Sequence, residues 1–127
     1  MNAELRQAIL EHVRERDHVS FAELHHEFGT RFNLKGSRAL APESYPTILY
    51  WAGMSEEYCE TIRVLTANDG PLVKVPCPLL VYLIDGATLN LPLVKQPIRY
   101  KSDHWLPVIL RPRAKYEAEE RKGRKHA

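Results

Sequence analysis

Adjacent histidines beside a carboxylate, His25-His26-Glu27, are the first residues in this sequence whose types and spacing suggest chemistry. Glu23 and His26 stand three apart, the spacing with which one helix face of a di-iron bundle offers a carboxylate and an imidazole to a metal. Such a site needs that pair twice, with further carboxylates, and the sequence holds no second copy. Neighbouring helical residues point about 100° apart, so at most one of the two histidines faces a core. The expectation is boundary histidines and no metal. Cys59 with a distant histidine would make a nucleophile–base pair, but it falls on an apolar helical stripe with no glycine-rich loop beside it, so a small core residue is expected. No phosphate-cradling loop, dinucleotide fingerprint or His-Glu-x-x-His pattern occurs. Asp69, Asp85 and Asp103 sit in turn contexts, where aspartate bonds the local backbone. The reading is a non-enzyme with no catalytic residue and no cofactor.

Cations near aromatic rings are the second group. Arg31, Lys35 and Arg38 form one cluster, Lys95, Arg99 and Lys101 another, and Arg111, Arg113 and Lys115 a third; Tyr100, Trp105 and Tyr116 are interleaved with the last two. Cations beside rings can neutralise phosphates and stack on bases; the alternative is rings packed in a sheet and charges facing water. The charge is segregated: eight Lys/Arg face twelve Asp/Glu up to Val94, and ten face four from Lys95 onward, within a net +2. Local potential of that kind suits an anionic partner, or simply solubilises a terminus. Trp51-Ala52-Gly53-Met54 either packs as a tight corner or presents Trp51 to a protein partner, and Trp105 is a second candidate anchor.

These residues need a scaffold, and 127 residues with 44% hydrophobic content suffice for one domain with its own core. Apolar residues at three- and four-residue spacing predict a helix from Asn2, as N-cap, to Arg16. Ser20-Phe21-Ala22-Glu23 is a capping box, with Val19 placed to staple against Leu24, so a second helix runs from Phe21 to Phe28 and stops at Gly29. Leu34 to Leu40 reads as one or two helical turns, weakened by Gly36. Thr47 to Trp51 is β-branched and aromatic, favouring a short strand. Ser55 caps a third helix whose buried stripe is Tyr58, Cys59, Ile62 and Leu65, ended by Asn68-Asp69-Gly70-Pro71.

Seven of the nine prolines lie between Pro71 and Pro112, which marks the second half as strand-rich. Leu72 to Val75 is predicted as a strand, and Leu79 to Ile84, apolar on both faces, as a central one. Asp85-Gly86 then reads as a type I′ hairpin turn. Ala87, Leu89, Leu91 and Leu93 alternate on a returning strand, and Trp105 to Leu110 makes the last. The expected architecture is α+β: three N-terminal helices on a C-terminal antiparallel sheet in a single domain, residues 1–113. A charged, basic tail, residues 114–127, follows, partly helical near 114–122 or disordered.

Over residues 2–94, Glu4 to Leu10, Val19 to Leu24 and Ser55 to Leu65, followed by the Asp85-Gly86 hairpin, this order resembles a winged helix-turn-helix domain. The resemblance implies binding of double-stranded DNA, with the hairpin as the wing and the third helix in the reading position. Two departures stand out. Twenty-six residues, Gly29 to Met54, separate the second and third helices, so that stretch must contain an element of its own. The start of the third helix carries Glu56, Glu57 and Glu60, and carboxylates there oppose a polyanion that binding needs cations to neutralise. The nine cations named above are therefore the expected phosphate contacts, in a small regulator. The other reading is a protein-interaction module or homo-oligomer that does not bind nucleic acid, using an edge strand near Leu72 or Trp105. No apolar run approaches a membrane span and the start lacks a signal peptide; with two unpaired-looking cysteines, this predicts a cytoplasmic protein that binds no membrane.

Overall fold

The computed structural model describes residues 2–125; Met1, and His126 and Ala127 of the expected tail, lie outside the described residues. In chain order the elements are α1 (Ala3–Arg16), β1 (Val19–Ser20), α2 (Phe21–Phe28), β2 (Lys35–Leu40), β3 (Ile48–Leu49), β4 (Trp51–Met54), α3 (Glu56–Leu65), β5 (Leu72–Pro76), α4 (Leu79–Asp85), β6 (His104–Trp105), β7 (Val108–Pro112) and α5 (Arg113–Lys125). The class is α+β, as expected. No described helix is long and apolar enough to cross a membrane.

The first three predicted helices form where their caps place them. The Asn2 side chain accepts the Leu5 N–H at 3.1 Å, Ser20 accepts that of Glu23 at 3.0 Å, and Ser55 that of Tyr58 at 3.1 Å. Each hydroxyl or amide oxygen satisfies an amide that the helix itself leaves open. Their stripes are buried: Leu5, Ile9 and Val13 on α1, Phe21, Leu24 and Phe28 on α2, Tyr58, Cys59, Ile62 and Leu65 on α3. One half of the capping box differs, because the Glu23 carboxylate meets His12 at 2.6 Å.

The sheet departs from expectation. Strands β5 and β7 pair directly and antiparallel, from Leu72 opposite Pro112 to Pro76 opposite Val108. Strand β1 lies on the other side of β7, so the order is β1-β7-β5. Residues 79–84, expected as the central strand, are helix α4, and no returning strand follows. A six-residue run apolar on every side fits either period, and packing selects the helix. In that form Tyr82 is buried, its hydroxyl accepting the Phe21 N–H at 3.2 Å and donating to the Val108 carbonyl at 2.6 Å. Gly86 does adopt positive φ, +84°, but as the left-handed residue that closes a helix, not as a hairpin turn. The alternation after it survives without a ladder: Ala87, Leu89 and Leu91 pack on the core, Thr88 and Asn90 face water, and Leu93 only bridges Trp105.

Residues 34–40 also depart from the helical reading, since Lys35–Leu40 is a strand that pairs with β4. A Cβ on Gly36 would lie 2.6 Å from the Met54 carbonyl oxygen and 2.7 Å from the Ser55 Cα, so only glycine lets β2 approach the start of α3. The predicted strand near Thr47–Trp51 is split. Its Ile48–Leu49 part runs parallel to β6, and Trp51 opens the hairpin strand β4. At the centre of the molecule Trp51 stacks on Tyr82 and Phe21, while Trp105 packs edge-on to Tyr82 and tilted to Trp51. These rings are the inner surface that the helices and the sheet share.

Candidate functional site

The aromatic anchors proposed for a partner turn inward. Trp105 is 1% exposed and Trp51 5%; both are core residues, so neither is a surface hot spot. Trp105 also donates its indole N–H to the Tyr50 carbonyl at 3.2 Å. A buried ring with its polar atom satisfied is a packing residue.

The third cation cluster is likewise consumed by the fold. Arg111 is buried and forks onto Asp17, with Nε and Nη2 at 3.0 and 2.8 Å from the two carboxylate oxygens, and its Nη1 reaches Glu119 at 2.8 Å. Lys115 lies 3.3 Å from the same Asp17. Arg113 donates to the carbonyls of Gly70, Ala67 and Leu72 at 2.6, 2.7 and 3.2 Å, in the turn that follows α3. The Arg111 fork holds the Asp17 carboxyl well below the usual carboxylate range, and the Asp17 and Glu119 carboxylates raise Arg111 further. These contacts tie α5 to the end of α1. Arg111 and Arg113, expected as phosphate contacts, are bonded within the chain instead, and a guanidinium bonded on both edges to its own protein has no free fork to offer.

The first cluster is mixed. Arg38 pairs with Glu56 at 3.5 Å across two exposed side chains. Arg31 lies over the rings of Phe28 and Phe32 at 5.7 and 5.2 Å, and Lys35 borders a cleft with His25, His26 and Asn33. Of the two histidines, His26 is occupied and His25 is half-buried. His26 donates Nε2–H to the Asp85 carbonyl at 2.9 Å, and burial, then Lys35 and His26, lower the pKa of His25. Glu23, paired with His12 and Arg16, is not shared with His26. Among the described residues no group of three or more His, Cys, Asp or Glu is arranged to hold a metal ion. Burial raises the Cys59 thiol and pushes Cys77 up to about 11, which disfavours the thiolate that nucleophilic chemistry requires.

The second cluster is the one left open. Lys95, Arg99 and Lys101 are exposed, and among the described residues none has a carboxylate oxygen within 4.0 Å. They ride on a loop whose ends are tied, the Trp105 N–H bonding the Pro92 carbonyl at 2.8 Å and the Val94 N–H the Trp105 carbonyl at 2.9 Å. Its hub is Tyr100, whose hydroxyl accepts the N–H groups of Lys95 and Gln96 at 3.1 Å each and donates to the Gln96 carbonyl at 2.9 Å. Thr47 bonds the Tyr100 carbonyl at 2.9 Å, and Arg99 bonds the Ser44 carbonyl at 3.3 Å. A surface loop closed at its ends and packed by its own side chain is pre-shaped before any ligand arrives.

His104, which the sequence reading did not single out, completes this unit. Its ring stacks on Tyr100 with centroids 3.7 Å apart and planes 17° apart, and its Nδ1–H donates to the Ser102 carbonyl at 2.9 Å. The sequence signal was available, in that Tyr100 and His104 stand four apart in a short segment that follows Gln96-Pro97, but the stacking itself depends on the distant Thr47 and Ser44. A cleft of about 560 Å³ lies here, lined by Tyr100 and His104 with Pro92, Leu93, Lys95, Gln96 and Ile98.

The start of α3 is acidic. Ser55 donates its hydroxyl to the Asn33 carbonyl at 2.8 Å and its N–H to that of Leu34 at 2.8 Å, with Glu56 and Glu60 exposed beside them. No protein-family model matches the chain, and neither a curated protein nor a solved structure matches it.

Proposed function

We propose that the chain is a winged-helix domain that binds nucleic acid through the loop between β5 and β7 and not through α3. Helix, strand, helix, helix, then two paired strands, with the first strand beside the last in the order β1-β7-β5, supports the winged-helix reading. On that reading the β2–β4 hairpin is an insertion before α3, and the wing is the excursion from Cys77 to Pro107, closed at its base where the Cys77 N–H bonds the Pro107 carbonyl at 3.0 Å. The observation that carries the binding surface is the unpaired trio Lys95, Arg99 and Lys101 on a pre-shaped loop in the wing. Arg31 and Lys35 are further cations without an acidic partner among the described residues. The carboxylates Glu56, Glu57 and Glu60 at its start make α3 unsuited to a groove.

Anisotropy of a labelled duplex, titrated at about 50 and about 200 mM salt, tests this. If the trio neutralises three phosphates, log affinity falls against log salt with a slope near −2.7, from roughly −0.9 per contact. Changing all three to Ala removes most of that slope. Absence of binding at the lower salt, by the duplex and by its separated strands alike, ends the proposal.

A second reading, a protein-interaction module, is favoured by one observation. Leu80, Leu83 and Ile84, at helical spacing on α4, are 62%, 57% and 75% exposed. Contiguous apolar side chains on a surface mark contact sites. The open edge of β5, by contrast, carries Lys74 and Pro76, which discourage strand addition. Sedimentation of the native chain and of I84K across micromolar concentrations tests self-association. A native chain that stays monomeric removes that version.

A further inference from the structure

We infer that the cleft beside Tyr100 and His104 receives an unpaired base, so that the loop is built for single-stranded nucleic acid; this rests on the nucleic-acid reading above. In a duplex the ring faces of bases are covered by their neighbours, and a protein meets only base edges and phosphates. A cleft lined by aromatic rings and apolar side chains contributes nothing to such contacts. It suits the face of a base that has left its stack.

Three features of the cleft agree on that occupant. Its volume, about 560 Å³, exceeds what one nucleobase needs and falls within the usual range for small-ligand sites. Leu93 and Ile98 are 39% and 48% exposed although the loop around them is ordered by hydrogen bonds, so their apolar surface is not used in packing the loop. A base seated over them would cover it. Lys95 lines the same cleft, and Arg99 and Lys101 are exposed on the loop that carries it, cations suited to a phosphodiester beside the base. His104 donates Nδ1–H to the Ser102 carbonyl, which leaves Nε2 to meet a base edge. An apolar peptide would use the apolar lining but not the cations; a bare anion would use the cations but not the apolar lining.

The test is anisotropy of three labelled probes of equal length with the full chain: an oligothymidine, its duplex, and an abasic strand that keeps the phosphates and lacks the bases. Stacking predicts that oligothymidine binds roughly 5- to 150-fold tighter than the abasic strand, and tighter than the duplex. His104→Ala and Ile98→Asn each abolish that advantage, read as the ratio of oligothymidine to duplex affinity; Ile98 is half-exposed, so its substitution decides the matter if His104→Ala fails to fold by circular dichroism. Lys95→Ala weakens all three probes. Equal binding of the three probes, or an oligothymidine advantage that survives both cleft substitutions, overturns this inference and leaves duplex recognition standing. No binding of any probe at low salt overturns the nucleic-acid reading itself.

Discussion

Arg111 shows what a residue's type cannot disclose. In the run Arg111-Pro112-Arg113 it reads as a phosphate contact, yet it is buried and its fork is filled by Asp17, a partner 94 positions away. Removing one member of such a pair strands the other's charge away from water, which typically costs about 3–5 kcal/mol. R111A is therefore expected to lower the melting temperature sharply. A melting curve that coincides with the native one would show that the pair holds nothing. Asp17 adds a pH dependence of definite sign. Its folded pKa is depressed by Arg111, so the unfolded chain binds the proton more readily. The stabilisation is fully present above the ordinary carboxylate pKa of about 4 and is lost as pH falls below it toward the folded value. Thermal unfolding from pH 7 down to pH 3 should show the native chain losing more stability than D17N, which starts lower. Parallel losses in the two proteins would assign the acid sensitivity to other carboxylates.

Elements were legible where their instructions are local. Asn2, Ser20 and Ser55 announce α1, α2 and α3 because a cap and a stripe act within a few residues. Ser20 also acts at a distance, since its hydroxyl donates to Asp85 at 2.5 Å and joins α2 to α4. S20A should cost about 1–2 kcal/mol, near the upper end for a lost cap, as read by denaturant unfolding; a change of a few tenths would mean that the link to α4 contributes nothing. Helix α4 itself was illegible. Leu79 to Ile84 has no apolar period, and Asp85-Gly86 satisfies both a hairpin turn and a helix end, because each needs positive φ at Gly86. What decides is the Tyr82 hydroxyl between Phe21 and Val108, one in α2 and one in β7. Tyr82→Phe leaves both buried backbone groups without that partner, and at about 1–3 kcal/mol each the expected loss is roughly 2–6 kcal/mol. A neutral result would mean the helix is held by its ring alone. The loop site was legible by half: Lys95, Arg99, Lys101 and Tyr100 could be named, whereas His104 joins them only because residues 44–47 fix the loop from outside.

Across the whole molecule, a net charge of +2 says little until the cations are divided by what they touch. Arg16, Arg38, Arg63, Arg111, Arg113 and Lys115 face carboxylates of the chain itself, while Lys95, Arg99 and Lys101 have no carboxylate partner among the described residues. A cation that already neutralises a carboxylate releases no counterion from a polyanion unless its own pair is first broken, so the two sets must answer different experiments. Changing Arg111, Arg113 and Lys115 together to Ala should lower the melting temperature by many degrees, since buried and helix-end contacts go at once. At a temperature where that variant is still folded, its salt slope for nucleic acid should match that of the native chain. Changing Lys95, Arg99 and Lys101 together should do the opposite, leaving the melting curve within experimental scatter and removing about three-fifths of the slope if Arg31 and Lys35 supply the rest. Melting curves and two-salt titrations on both variants separate the sets. If the first variant loses affinity without losing stability, the ion pairs around Asp17 open in solution and the basic surface is the larger one. If the second loses neither, the loop cations face only water, and the exposed stripe on α4 becomes the surface that the fold was shaped to present.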